Sequence, residues 1–409
     1  MAKNPPTTRI GINQMAMKIL FFLGLPNPFP GAGWTRIGFF VDAWSKNGHS
    51  IEVLGTFTYK SFSKRGIRKM GNANIFNLIF NMGINHPAIF ILNCLVSLIT
   101  STLFLSARKP DITMVSVPTG DSGVGVLIAC TLTKTKCVID YRDEWEDYLI
   151  GLTNSKISKS FFCIIKKIST GIYAKKLVVA VTPKTLDALK SRGLYNLKLI
   201  SNGADTRIFK PSIIKKGNEK FAIFYSGFVG AYYRLDVVVK AVKRLVDKGF
   251  NNINLLVAGE GEIKSMLSLA EKLAITDQIK YIGSINDKTK LAKSIAVSDA
   301  GIIPYDGNPL WKNSIPAKFY EYCACGIPVI ATTHSDSLLA EIIRTHQIGV
   351  SSPPLDEEKL AEAILWLYKN KPFREVAGKR ARKLIEEKFD RNKIAEEYLS
   401  ITKQIVAQK

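Results

Sequence analysis

The sequence predicts an α/β chain folded as two doubly wound parallel sheets that face each other across a cleft. Three observations carry this. Apolar runs of strand length alternate with helix-length stretches almost from end to end, the pattern that βαβ units produce. At 409 residues the chain is too long for one ordinary core. At residues 201–212 the composition turns to glycine, asparagine and proline (SNGADTRIFKPS), and a fresh series of strands begins after it. Ligands of such sheets bind at the C-terminal ends of the strands, so two facing sheets make one cleft.

The elements follow in order. KILFFLGLP reads as a first core strand, followed by the loop PNPFPGAGWT and the helix TRIGFFVDAWSKNG, which ends at an Asn-Gly. IEVLGTF is the second strand. Ala88 to Ala107 form an apolar helix, after which DITMVSVP, GVLIACTLT, KCVIDY and KLVVAVT read as strands separated by helix-length sequence. Beyond the linker, KFAIFYSG opens the second series. LDVVVKAVKRLVDKG (helix), INLLVAGEG (strand), EIKSMLSLAEKLA (helix), IKYIGSI (strand), KTKLAKSIAVS (helix) and DAGIIPY (strand) follow it. FYEYCACG and PVIATT add a helix and a strand. The tail from Asp356 is helical and ends in KIAEEYLSITKQIV, of amphipathic spacing.

The net charge is +23. Through Asp205 there are 25 Lys+Arg against 11 Asp+Glu, so 14 of that excess belongs to the first half and 9 to the second. Such a balance favours anionic partners. Nucleic acid is the poorest fit among them, because the basic residues are spread over helices without the interleaved aromatics such binding prefers. The six cysteines lack C-x-x-C spacing and the four histidines are scattered, which argues against a metal site. Most of the cysteines sit in apolar contexts and read as small core residues of a reducing compartment, so the expected location is cytoplasmic. KILFFLGLP is short, ends in proline and lacks a cleavage-like site, so it reads as a strand and not as a signal. AIFILNCLVSLITSTLFLSA is 20 residues without a charge, flanked by His86 and by Arg108-Lys109. It holds enough Ser, Thr and Asn for a helix packed on protein. Dipping into one leaflet of an anionic membrane is the second reading.

Several loops suit phosphate and sugar. In YSGFVGAYYRLD, Gly227 and Gly230 stand between a strand and a helix, where backbone N–H groups can approach an anion. VAGEGE, with Gly259 and Gly261, closes the next strand, and Gly31 and Gly33 of PGAGWT stand between the first strand and first helix. Each of these also fits a plain turn. In NSIPAKFYEYCACGIPVIAT, Lys318 and Glu321 lie on one helix face, three residues apart, before a Gly-Ile-Pro that returns the chain to the sheet. DYRDEWED clusters Asp140, Asp143, Glu144, Glu146 and Asp147 after a strand. A solvated acidic helix start is its bland alternative.

From Leu177 onward the chain resembles glycosyltransferase family 4, the retaining nucleotide-sugar enzymes of GT-B fold. LISNGADTRIFKP, FYSGFVGAYYRLDVVVKAV, LLVAGEGE, YIGSIN with Gly283, AVSDAGIIPY and FYEYCACGIPVIAT occur in the family's order. Looser similarity covers residues 18 to 60 and KCVIDYRDEWED. The resemblance implies Rossmann-like domains at residues 1–205 and 206–385, the second holding the donor, with a final helix at 386–409 packed back on the first. It implies that Glu321 matches the second of two family glutamates and holds the ribose hydroxyls of a donor nucleotide. The first of those glutamates falls on Asn313. The family's arginine and lysine near the first glycine of the second domain fall on Phe228 and Tyr233. Arg234 stands one residue along. Lys318, in a P-x-K-x-x-E-Y pattern resembling the surface-polysaccharide subgroup, is a substitute cation for the diphosphate.

The function this implies is transfer of a sugar from a nucleotide-diphosphate sugar to a glycan or lipid-linked acceptor in surface polysaccharide or glycoconjugate synthesis, without metal or other cofactor. Asp140 or Asp143 is expected to orient the acceptor hydroxyl or accept its proton. The alternative is a nucleotide-sugar 2-epimerase of the same fold.

Overall fold

The structure, a computed structural model, describes residues 16–24, 32–83, 86–117, 120–212, 220–230 and 232–408. The first half builds β1 (Lys18–Leu23), α1 (Ala32–Lys46), β2 (Ser50–Phe57), β3 (Gly66–Met70), β4 (Ala73–Phe80), α2 (Pro87–Arg108), β5 (Ile112–Val117), α3 (Gly120–Leu132), β6 (Cys137–Tyr141), α4 (Trp145–Leu152), α5 (Lys156–Tyr173), β7 (Leu177–Ala180), α6 (Pro183–Ser191) and β8 (Leu197–Leu199). Their sheet runs β3-β4-β2-β1-β5-β6-β7-β8 and is parallel except for the antiparallel edge pair β3–β4. One face packs under α2, α3, α4 and α5 and the other under α1, so the strands are apolar on both sides.

The second half contributes β9 (Phe221–Val229), α7 (Leu235–Asp247), β10 (Ile253–Gly261), α8 (Ile263–Lys272), β11 (Ile279–Tyr281), α9 (Lys288–Ala296), β12 (Ala300–Pro304), α10 (Ala317–Ala324), β13 (Val329–Thr332), α11 (Leu338–His346), β14 (Gly349–Ser352), α12 (Glu357–Lys369), α13 (Lys371–Lys388) and α14 (Arg391–Ala407). Its sheet is wholly parallel, in the order β11-β10-β9-β12-β13-β14. The molecule is therefore two parallel-sheet α/β domains, as the alternation of apolar runs predicts.

α14 leaves the second domain and packs on the first. Tyr398 meets Phe40 and Trp44 edge-on at 5.3 and 5.6 Å. Trp44 donates its indole N–H to the Ala395 carbonyl at 3.0 Å. Lys136 donates to the Ile405 and Val406 carbonyls at 3.2 and 2.8 Å, a cation set against a helix C-terminus.

One strand expectation is overturned. GVLIACTLT, residues 125–133, lies in helix α3 up to Leu132. α3 is buried along most of its length between the sheet and α2. With apolar neighbours on every side it needs no polar stripe, so the helical period is absent from its sequence. The hairpin β3–β4 and the pair α11–β14 have no counterpart in the sequence reading.

Candidate active site

The C-terminal strand ends of the two sheets meet. Glu144, in the loop after β6, accepts a hydrogen bond from the Asn313 amide at 3.1 Å. Thr182, after β7, donates to the Asn313 backbone carbonyl at 3.1 Å. Lys184 donates to the Asp336 carbonyl at 2.6 Å. All three contacts join segments just beyond the C-terminal ends of parallel strands, which is where such sheets bind ligands.

Lys318 sits in the wall of this cleft. α10 is buried around its whole circumference, and Lys318 is 7% exposed. Its ammonium lies 3.6 Å from the centre of the Tyr233 ring and 3.9 Å from that of Tyr225, and has no hydrogen-bond partner among the described residues. Burial pushes its pKa well down, with the Glu321 carboxylate opposing. Two aromatic faces offset part of the desolvation of a cation, each contact being worth about 2 kcal/mol when dry. They supply no acceptor.

Gly227 closes over that ammonium. Its φ is +123°, and a β-carbon there would stand 3.2 Å from Lys318 Nζ. The neighbouring strand is fitted to the same strand end: Gly259 pairs with Gly227 in the β9–β10 register, and a β-carbon on Gly259 would strike the Gly227 carbonyl oxygen. Gly283 accepts from the Gly259 N–H at 3.1 Å. Gly259 and Gly283 thus shape that strand end from behind.

Glu321, one turn after Lys318, is 5% exposed and pairs with Lys288 at 3.0 Å. Burial lowers the pKa of Arg391, and the Glu321 charge opposes that shift. Gly326 and Pro328 end α10 and lead into β13, as the sequence indicates. Arg234 is engaged bidentately by Asp236, at 2.8 and 2.7 Å, and is partly exposed.

On the first domain the two acidic candidates part company. Asp140 lies in β6, is 1% exposed, and is gripped by Arg36 through Nε at 3.1 Å and Nη2 at 2.9 Å. Arg36 also donates to the Ile200 and Ser201 carbonyls and to Asn202, tying β6 to the linker. That carboxylate is a structural counter-ion. Asp143 is exposed in the loop after β6, and desolvation of its carboxyl raises its pKa, opposed by the Arg142 charge. Burial is the main reason that the hydroxyl pKa values of Tyr232, Tyr233 and Tyr305 in the second domain are raised, and the charge of Asp143 adds to it, which sets this acid within electrostatic reach of those residues. Gly33 lies in the first turn of α1, and Gly31 falls outside the described residues.

The sequence reading missed three features. Tyr233, Tyr305 and Trp311 stack at 5.4 Å each, with Tyr232 on Trp311 at 4.7 Å, as an aromatic wall beside Lys318. The Tyr-Tyr pair beside Gly230 was the signal for it. Glu144 as the partner of Asn313, and Arg36 as the partner of Asp140, had no signal, because each pair is more than 100 residues apart.

Residues 206–384 match the family profile described as Glycosyl transferases group 1. The chain carries a group 1 glycosyltransferase domain. The chain is 28% identical over 185 residues to N-acetyl-alpha-D-glucosaminyl L-malate synthase of Bacillus anthracis, a match spanning 45% of each chain, less than half the relative's length. Protein CapJ of Staphylococcus aureus is 24% identical over 377 residues, 88% of both chains. Among solved structures, sucrose-phosphate synthase from Thermosynechococcus elongatus superposes with a TM-score of 0.75 at 16% identity, covering 96% of this chain and 99% of that one. Anabaena Alr3699/HepE in complex with UDP and glucose gives 0.67 at 14%, covering 95% and 100%. The fold around the group 1 glycosyltransferase domain is therefore GT-B.

Proposed function

We propose that this chain transfers a sugar, with retention of configuration and without a metal, from a nucleotide-diphosphate sugar to a glycan or lipid-linked acceptor in surface polysaccharide or glycoconjugate synthesis. The observation that carries the reading is Lys318: a buried ammonium without a hydrogen-bond partner among the described residues, beneath Gly227 near the end of β9, on the helix that bears Glu321. A diphosphate between the Gly227–Gly230 backbone and Lys318 would supply the acceptors that this ammonium lacks. Glu321 holds the ribose hydroxyls, Asn313 the sugar, and Arg234 stays at the rim. Tyr233 occupies the position where the resemblance places the family's lysine, and Lys318 brings a cation to the face of its ring from the neighbouring helix.

The acceptor hydroxyl attacks the anomeric carbon on the face that the diphosphate leaves, and the departing phosphate oxygen takes its proton. Charge growing on that leaving group meets Lys318, so the residue acts most strongly in the transition state. Asp143 orients the acceptor hydroxyl.

A panel of nucleotide sugars screened by thermal stabilisation identifies the donor. With that donor, Lys318→Met lowers turnover on the order of 10²-fold and affects donor affinity less. Glu321→Gln weakens donor binding by about 10-fold. Normal turnover in Lys318→Met would sink the assignment. Conversion of the donor without acceptor would favour the epimerase reading.

A further inference from the structure

Helix α2 is apolar on its outer face. Its buried side carries Asn93, Ser97 and Ser101 between Phe90 at one end and Phe104 and Leu105 at the other, and its outer face carries Ile91, Leu95, Ile99 and Leu103 at four-residue spacing, with Ile99 60% and Leu103 68% exposed. The polar side is held by bonds into the first domain. Asn93 donates to Asp121 at 2.7 Å and accepts from the Met82 N–H at 3.0 Å, and Ser97 donates to the Ser122 carbonyl at 2.7 Å. Gly125 lets α3 press against it, since a β-carbon there would stand 2.5 Å from the Cys94 carbonyl. These bonds fix the orientation, so the apolar stripe cannot turn inward. They also keep α2 from crossing a bilayer, although it has the length and composition to do so.

Beside it lies α5, where Phe161 and Phe162 each meet Phe90 at 5.8 Å. α5 exposes Ile157, Ile164 and Ile168, the first of them 81% exposed. Exposed Lys156, Lys159 and Lys167 stand among them. We infer that α2 and α5 together seat the first domain on an anionic lipid bilayer, apolar side chains in the acyl boundary and lysines at the headgroups. Charge selects this occupant over a second copy: two lysine-studded faces of a chain with net charge +23 repel each other.

The surface leads to the cleft. Trp145 directly follows Asp143 and Glu144 and stacks on Phe90 at 6.3 Å, near the start of α2. An acceptor anchored in the bilayer would thus present its head to Asp143 with its lipid left behind. This last step rests on the transferase reading, while the docking does not.

The full chain is sedimented with phosphatidylcholine vesicles and with vesicles that also contain phosphatidylglycerol. Binding to the anionic vesicles is expected, weaker by about 10-fold or more on neutral ones. Ile99→Asp with Leu103→Asp should lower it by about 10-fold or more with an unchanged melting temperature, since both residues are exposed. Lys156→Gln, Lys159→Gln and Lys167→Gln together should remove most of the anionic preference. Equal binding by the aspartate variant, failure to bind either vesicle, or a dimer that this variant splits would each overturn the inference. Donor-induced stabilisation in the same preparations tests the transferase reading separately.

Discussion

Lys318 is held at a cost, and that gives its replacement two opposite effects. Its folded pKa lies below the ordinary lysine value. Between those two values the unfolded chain binds the extra proton, so stability rises with pH across that window and is lowest below it. Lys318→Met removes the buried ammonium, so the ligand-free protein should melt higher near neutral pH, by about 1–3 kcal/mol in unfolding free energy, and lose that pH slope. A diphosphate favours the charged form, so donor binding takes up a proton and weakens as pH rises through the free-enzyme pKa. Calorimetry in buffers of different ionisation enthalpy should register that proton for the wild type and not for Lys318→Met. The two first-domain acids separate in the same manner. Asp140→Asn leaves Arg36 buried without its counter-ion and should cost about 3–5 kcal/mol. Asp143→Asn should leave the melting temperature nearly unchanged and reduce turnover. The sequence placed both acids after one strand, and burial distinguishes them. Arg36, which decides the matter, lies more than 100 residues away.

At the scale of elements, most strands and helices were legible because a half-buried element writes its period into its sequence. α7, with its apolar face on the sheet and its lysines outside, is such a case. α3 was not, because full burial erases the difference between faces. α2 was legible as a helix, but its outward side could not be read. The pattern of Asn93, Ser97 and Ser101 resembles an ordinary polar face until Asp121 and Ser122 are found beneath it. Gly125 is the fulcrum of this pair. Gly125→Val should force α2 off α3 and destabilise the protein by about 1–3 kcal/mol, measurable by denaturant unfolding. An unchanged midpoint would mean that the two helices are not in close contact.

On the scale of the molecule, the domains touch across the cleft through polar groups, Glu144 and Thr182 on Asn313 and Lys184 on Asp336, a kind of interface that leaves relative motion open. Glu144→Ala removes the bond to Asn313 and should enlarge the radius of gyration in small-angle scattering of the ligand-free protein. Identical curves would show that this bond does not hold the cleft. The crossing back of α14 constrains the molecule in another dimension, that of time on the ribosome. The pocket between Phe40, Trp44 and β1 is filled by Tyr398, roughly 200 residues after the last strand of that sheet has been made. At ordinary translation speeds the wait is about 10–40 s. Throughout it the nascent first domain displays the sides of two aromatic rings that Tyr398 will cover, and the whole second domain emerges in the interval. A helix made only after the whole second domain is thus the part that finishes the first domain.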